Sequence, residues 1–495
     1  LTDRDTSPTS ALDPQTPEEW AALRQLGHRM VDEMVEHLRT VRERPVWQSM
    51  PDPVRQALTD QPVPRQGVGE EAAYTAFREQ ILPYPLGNTH PRFWGWVNGT
   101  GTPLAMLAEM LTAGMNTNVG GFDQSATLVE RQVIAWLAEL LGFPKDAGGL
   151  LLSGGSMANV VALAAARNAR AGFDIRAEGI HGGPPLAVYA SNQVHNSVTK
   201  AVELLGLGRR ALRLTPVGED WTVDVEALRA QIRADRAAGI HPVCVVANAG
   251  TVNTGALDDL DALADLCTED GLWLHVDGAF GALAALSPAL LQSRPALHGL
   301  ARADSVAFDL HKWMYLPYEA GCTLVRRPDA LGDSFRAPAS YLTPIEGGVL
   351  KTPMVFAEQG LQLSRGFRAL KVWLSWKAHG IDRYIRAIER NVEQAASLGR
   401  RIEREPELEL LAPVPLNIVC FRYRPEGTAE GDALNGLNQR LLVALQESGV
   451  AVPSSTVLHD RFAIRVAITN HRTALEDLDL LVEEVLRLGR GSLGP

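Results

Sequence analysis

The chain has 495 residues, 46% hydrophobic and 21% charged, with a formal net charge of −11. That length exceeds one simple core and calls for two or three folding units. The acidic balance and the lack of a basic block argue against a nucleic-acid partner, and no uninterrupted apolar run of about 18 residues is present to span a membrane.

Residues 1–19 are polar and rich in Pro, Thr and Asp, without the apolar core of a signal peptide. Residues 1–15 read as disordered, and a start at Leu1 rather than Met leaves room for an upstream piece. Thr16-Pro17-Glu18-Glu19 is a capping box with Pro in the first helical position. Behind it Trp20, Leu23, Gly27, Met30, Val31, Met34, Leu38 and Val41 mark one face of a long helix. This arm and the Pro-rich stretch 45–66 bury little by themselves, so they are expected to lie on something else, most economically a second subunit, with packing on the chain's own body as the alternative.

From about 80 to 380, helical and apolar-strand segments alternate. The strands are expected at 186–190, 211–214, 243–248, 272–276, 305–308 and 322–325, and the helices at 156–170, 196–205, 224–237 and 258–268. This is the pattern of an α/β domain with a mostly parallel sheet. A long helix near 368–399, a segment at 416–424, a helix at 430–448, strands near 450–467 and a last helix at 473–488 suggest a small α+β domain. The expected division is an N-terminal helical arm (1–85), a large α/β domain (86–380) and a small C-terminal domain (381–495). Four cysteines, Cys244, Cys267, Cys322 and Cys420, lack metal-ligand spacing. They read as buried thiols of a reducing cytoplasm, with no metal site.

The chemistry concentrates where strands end. Lys312 follows an apolar strand in Asp309-Leu-His311-Lys312-Trp, where burial is expected to lower its pKa and make its amine nucleophilic. Another apolar strand ends in His275-Val-Asp277-Gly-Ala279. A lysine able to form a Schiff base and a carboxylate for a pyridinium nitrogen are the minimal kit for pyridoxal phosphate (PLP). Ser153-Gly-Gly155-Ser156 opens an Ala-rich helix whose N-terminus suits a phosphate. His195 follows a strand and reads either as a ring stacked on a cofactor or as a helix cap. Thr251 lies either beside the ring or in an ordinary turn.

These segments in this order resemble the pyridoxal-dependent group II amino-acid decarboxylases, which include aromatic-L-amino-acid and tyrosine decarboxylases. His90-Pro-Arg-Phe-Trp94, Ser153-Gly-Gly-Ser156, the His195 segment, His275-Val-Asp277-Gly-Ala279, His311-Lys312-Trp313 and Leu363-Ser-Arg365-Gly-Phe-Arg-Ala-Leu-Lys371 carry the likeness. It implies a homodimer of PLP fold type I, the aspartate aminotransferase-like α/β fold. Lys312 would carry the cofactor, Asp277 would pair with its ring nitrogen and His195 would stack on the ring. Gly155, Ser156 and His311 match phosphate-end positions, Thr251 and Ala279 positions beside the ring. Tyr341 matches the tyrosine of a mobile loop that acts late in the reaction. Trp94, Trp96 and Phe122 match substrate-lining regions, with the Phe122 region coming from the partner subunit, and favour an aromatic L-amino acid. Arg365 or Arg368 would instead serve an acidic substrate such as glutamate, aspartate or cysteine sulfinate. An aldehyde synthase of the same family is a further alternative, although Phe at the Tyr341 position typically goes with that chemistry. Two positions depart from the family pattern: Asp309 stands where the animal enzymes often have Asn and is expected to point away from the phosphate, and Gly278 stands where the aromatic enzymes usually have Ala and is expected to leave room above the ring.

Overall fold

The computed structural model describes residues 12–337, 339–342, 345–351 and 355–491. Most of the stretch expected to be disordered, residues 1–11, lies outside the described residues. In chain order the strands are β1 (Phe93–Trp94), β2 (Gly148–Leu152), β3 (Leu186–Ser191), β4 (Leu212–Thr215), β5 (His241–Asn248), β6 (Trp273–Asp277), β7 (Ser305–Asp309), β8 (Gly321–Val325), β9 (Leu408–Leu410), β10 (Ile418–Tyr423), β11 (Val452–Leu458) and β12 (Arg461–Ala467). Five helices position the features below: α1 (Pro17–Arg39), α2 (Pro103–Met115), α3 (Gly155–Arg170), α4 (Asn196–Leu204) and α5 (Ile381–Arg404).

Among the described residues the larger sheet runs β2-β8-β7-β6-β5-β3-β4. The run from β7 through β4 is parallel, and β8 is antiparallel to both its neighbours. β3, β6 and β7 are buried at every position, as a parallel sheet covered on both faces requires, and this is why they read as unbroken apolar runs. Register sets Asn248 beside Asp277 and Asp277 beside Ala307, so the carboxyl ends of β5, β6 and β7 form one rim. Ligand crevices in such sheets lie beyond that rim.

β2 was not anticipated from sequence. It pairs with β8 and brings Gly154 against Gly321, where any Cβ on Gly321 would fall 2.5 Å from the Gly154 Cα. A side chain there would push the glycine-rich turn off the sheet.

The smaller sheet runs β1-β11-β12-β10-β9, and its first strand comes from far upstream: Phe93 and Trp94 pair in parallel with Val452 and Pro453. The chain therefore contributes to the C-terminal sheet before it builds the large one, so a boundary at 86 does not separate the two. α5 joins the two cores, with Ile388 and Val392 packed in the large one and Ala395, Leu398 and Ile402 in the small one. The capping box of α1 forms, with Thr16 Oγ1 accepting from the Glu19 N–H at 3.2 Å and Glu19 Oε2 from the Thr16 N–H at 3.1 Å. Within α1 Leu26 is buried, whereas Trp20, Leu23, Met30 and Val35 are exposed.

Candidate active site

Asp277 ends β6 and is buried. Its Oδ2 accepts from Asn159 Nδ2 at 3.0 Å and its Oδ1 from the Ala279 N–H at 3.2 Å. Asn159 sits one turn into α3 and is held in turn. Its Nδ2 also reaches Ser197 Oγ at 2.9 Å, and its Oδ1 meets His275 Nε2 at 2.9 Å. His275 Nδ1 lies 2.8 Å from Ser305 Oγ. Burial holds the His275 pKa down to about 3, so the ring is neutral and its Nε2–H donates to Asn159. Burial pushes the Asp277 carboxyl above its usual range, while His195, Lys312 and the two donated hydrogen bonds pull it back. Sequence reading passed over Asn159 and His275 as functional residues. A lone amide in an Ala-rich buried helix was the available signal.

His195 caps α4: its Nδ1 accepts from the Ser197 N–H at 3.2 Å and lies 2.8 Å from Ser197 Oγ. With Nδ1 accepting, the ring proton resides on Nε2, and burial lowers the ring's pKa. The cap and the cavity wall are thus both roles of one ring, because His195 also lines two adjoining cavities with Val97, Asp277, Ala279 and Lys312.

One cavity, about 310 Å³, is closed by Ser153, Gly154, Gly155, Ser156, Asp309, His311 and Tyr318. α3 begins here with Gly154 at its cap and no side chain bonded to its first N–H groups. An uncapped helix N-terminus beside a serine suits a phosphate. His311 is buried and neutral, its pKa held down to about 4 by burial, and its Nδ1 accepts from the Ala320 N–H at 3.0 Å. Gly99 packs directly across this segment, where a Cβ would lie 1.5 Å from the His311 carbonyl oxygen.

Two expectations fail here. Asp309 does not point away: it is buried, with Oδ2 2.8 Å from Lys312 Nζ, while its Oδ1 has no hydrogen-bond partner. Nor is the Lys312 pKa lowered. Burial alone would depress it, but the charges of Asp309 and Asp277 and the hydrogen bond that Lys312 donates to Asp309 outweigh burial and raise it. The lysine three residues along is the nearest counter-charge, and the pair settles both side chains.

The second cavity, about 270 Å³, is walled by Trp96, Asn248, Gly250, Val252, Asn253, Phe280, Ser454, Ser455 and Arg465. Arg465 was not anticipated. It is buried, and it laces three stretches together: Nε to the Asn253 carbonyl at 3.0 Å, Nη1 to that of Trp96 at 2.8 Å and Nη2 to that of Val252 at 2.6 Å. Thr251 itself is buried in the turn, its Oγ1 bonded to Thr254 Oγ1 at 3.0 Å and to the Ala256 N–H at 3.0 Å.

The remaining expected contacts lie elsewhere in the chain. Trp94 is packed in the C-terminal core with Nε1 on Thr473 Oγ1 at 3.2 Å. Arg365 is buried against Glu130 and donates to the Leu151 carbonyl at 2.7 Å and the Val119 carbonyl at 2.8 Å. Arg368 pairs with Glu319 at 2.7 Å. Phe122 is half-buried in the loop before the helix at Ser125–Leu140, and Tyr341 is 69% exposed on a short turn. Neither lines the cleft of its own chain, and the Phe122 region was expected to serve the partner's.

The residues fit PLP. A buried carboxylate, a lysine, a histidine wall and an uncapped helix N-terminus meet around one cleft on the carboxyl rim, and they define a PLP enzyme of fold type I. The chain belongs to the pyridoxal-dependent decarboxylases, whose conserved domain matches residues 53–424. It is 36% identical to an aromatic-L-amino-acid decarboxylase of Bacillus atrophaeus over 92% of this chain and 93% of that one. It is 27% identical to a phenylacetaldehyde synthase of Petunia hybrida over 95% and 94% of the two. The solved structure of Oryza sativa TDC with PLP and tryptamine superposes with a TM-score of 0.87 at 26% identity, covering 97% of this chain and all of that one. The protein is a PLP-dependent amino-acid decarboxylase. No group of residues suited to a metal ion occurs among the described residues, and none of their helices is long and apolar enough to cross a membrane.

Proposed function

We propose that the substrate is an aromatic L-amino acid, converted to its amine and CO2. The observation that carries this reading is the cavity beside Lys312, whose wall includes Trp96, Val97, Val252 and Phe280. The basic groups that would hold an acidic side chain are otherwise engaged. Arg365 is occupied by Glu130 and two carbonyls, Arg368 by Glu319, and Arg465 by three carbonyls and Ser454 Oγ. The likeness to an aromatic-L-amino-acid decarboxylase supports the same choice.

When bound, PLP supplies the electron sink for the pair left at Cα as the carboxylate departs. Lys312 binds the cofactor, Asp277 keeps a proton on its ring nitrogen, and His195 forms a wall over the ring. Gly155, Ser156 and His311 take the phosphate end, with Ala279 against the ring. Tyr341 delivers the final proton to Cα. Its exposed turn must close over a cleft to do so, and closure also keeps water out. The working unit is a homodimer in the cytoplasm. The exposed apolar side chains of α1, with Met110, Leu111 and Met115 on α2, support a covered face, and the four free, buried cysteines suit a reducing compartment.

Holoenzyme incubated separately with the common amino acids, DOPA and cysteine sulfinate, with CO2 and amine both measured, tests the substrate. Fastest release from an aromatic substrate is expected, and fastest release from an acidic one overturns the choice. Tyr341→Phe assayed in air is expected to keep PLP and release CO2 while yielding aldehyde, ammonia and peroxide in place of amine. Amine at the wild-type yield and rate would remove Tyr341 from the reaction.

A further inference from the structure

A pocket of about 530 Å³ lies away from the cleft and shares no wall residue with it. Three of its residues, Arg383, Arg386 and Arg390, sit on one face of α5 at steps of three and four, spanning about 10 Å of helix. Among the described residues none of the three has a carboxylate partner. Arg383 Nη1 lies 3.5 Å from His379 Nδ1, Arg390 donates to the His471 carbonyl, and Arg386 has no partner. Like charges at this spacing repel each other along a helix, and Asp382, Glu389 and Glu393, which share α5 with them, form no ion pair with any of the three among the described residues. On a chain with 58 acidic and 47 basic residues, three unpaired arginines around one concavity are a local reversal of charge.

A second observation points the same way. Thr102 caps the N-terminus of α2 and lines this pocket, yet its side chain makes no capping bond and its buried Oγ1 has no partner. The start of α2, which no side chain caps, is therefore part of this pocket's wall, a place that favours negative charge. Tyr315 and His471 complete the wall, their rings edge-on with centroids 5.2 Å apart, and burial holds the His471 pKa to about 3, leaving that ring uncharged.

We propose that this pocket is a second binding site, for a small phosphorylated molecule. Its phosphates lie on the three guanidinium forks and the start of α2, and its organic part lies against Tyr315 and His471. Guanidinium groups pair bidentately with phosphate oxygens, and the volume exceeds what one inorganic phosphate fills. The site is mechanically tied to the catalytic lysine. Tyr315 OH and Trp313 Nε1 both donate to Oδ1 of Asn391, the neighbour of Arg390, at 2.8 and 3.1 Å. The proposal is independent of which amino acid the enzyme decarboxylates.

Isothermal titration of the holoenzyme with inorganic pyrophosphate, at ionic strength held constant with KCl, tests it. The cofactor's own phosphate site is filled in that form, and its absorbance must stay unchanged throughout. One saturable site per chain is expected, weakened about tenfold or more in Arg386→Gln and further in Arg383→Gln/Arg386→Gln, with PLP retained. Heat that never saturates, or equal affinity in the variants, overturns the site. Citrate binding as tightly as pyrophosphate overturns the phosphate assignment. Arginine variants that loosen self-association in sedimentation, alongside a wild type indifferent to pyrophosphate, would give the pocket to acidic side chains of a second copy.

Discussion

Asp277 and Asp309 end adjacent strands of one sheet, β6 and β7, and both are buried, yet their surroundings differ sharply. Both oxygens of Asp277 accept hydrogen bonds, and its donor Asn159 is itself fixed by neutral His275 and Ser305. Asp309 has one oxygen on the Lys312 ammonium and one with no partner. The first carboxylate has a neutral hydrogen-bond donor on each oxygen. The second depends on a cation that must become a free amine to do its work. A buried charge set in a satisfied network can serve as a fixed part of a site, whereas one balanced by a single mobile cation makes that cation's protonation a variable.

Replacing Lys312 should give the largest effect. Lys312→Ala is expected to lose bound-PLP absorbance and lower turnover by roughly a thousandfold or more. It also strands Asp309 as an unpaired buried charge, at a cost of about 3–5 kcal/mol in denaturant unfolding. Lys312→Ala/Asp309→Asn should recover most of that stability and none of the turnover. If it recovers nothing, the ion pair is not what distinguishes the two carboxylates. Asp277→Asn should still bind PLP, more weakly, with CO2 release slowed on the order of a hundredfold or more. A rate within a few-fold of wild type would show that the ring nitrogen is not held there.

Asn159→Ala tests the network itself. It deprives Asp277 Oδ2 of a donor and His275 Nε2 of its acceptor, so a loss of about 2–4 kcal/mol by chemical denaturation and about a tenfold slower turnover are expected. Unchanged stability would mean that water replaces the amide.

Asp309→Asn should be the mildest of these changes, and pH exposes it. The folded-state pKa of Lys312 is raised above its unfolded value, so the stability this contributes is complete below about pH 10. It is lost as pH rises through the higher folded value. Wild-type enzyme stripped of cofactor should therefore lose melting temperature above that pH more steeply than Asp309→Asn does. Parallel curves would break the comparison.

Asp277 and Lys312 were legible because the first closes a local apolar run and the second follows one within a helical turn, and a buried strand of five residues announces its own end. That β3, β5, β6 and β7 belong to a mostly parallel sheet followed from the alternation of strands with helices, and the PLP chemistry from what stands at their ends. What could not be read depends on partners far along the chain. Trp94 looks like a pocket residue until Thr473 and the C-terminal core close on it, and Arg365 looks free until Glu130 arrives from another helix. β1 has two residues and takes its meaning from Val452. Asp309 is a different failure. Repulsion from a phosphate was weighed, and the attraction of a lysine one helical turn away was not.

Arg465 has a consequence for how this enzyme can diversify. It grips the backbone oxygens of Trp96, Val252 and Asn253, three positions whose side chains face the cavity beside Lys312. Their main-chain placement is therefore set by one guanidinium, whatever side chains they carry. Substitutions at Trp96, Val252 or Ser455 can reshape the chamber while its frame stays put, so new substrate preferences are reachable by single steps that leave the scaffold intact. Arg465 joins His195, Asp277 and Lys312 as a position in that wall where such drift is barred, although it would touch no cofactor atom to do its work.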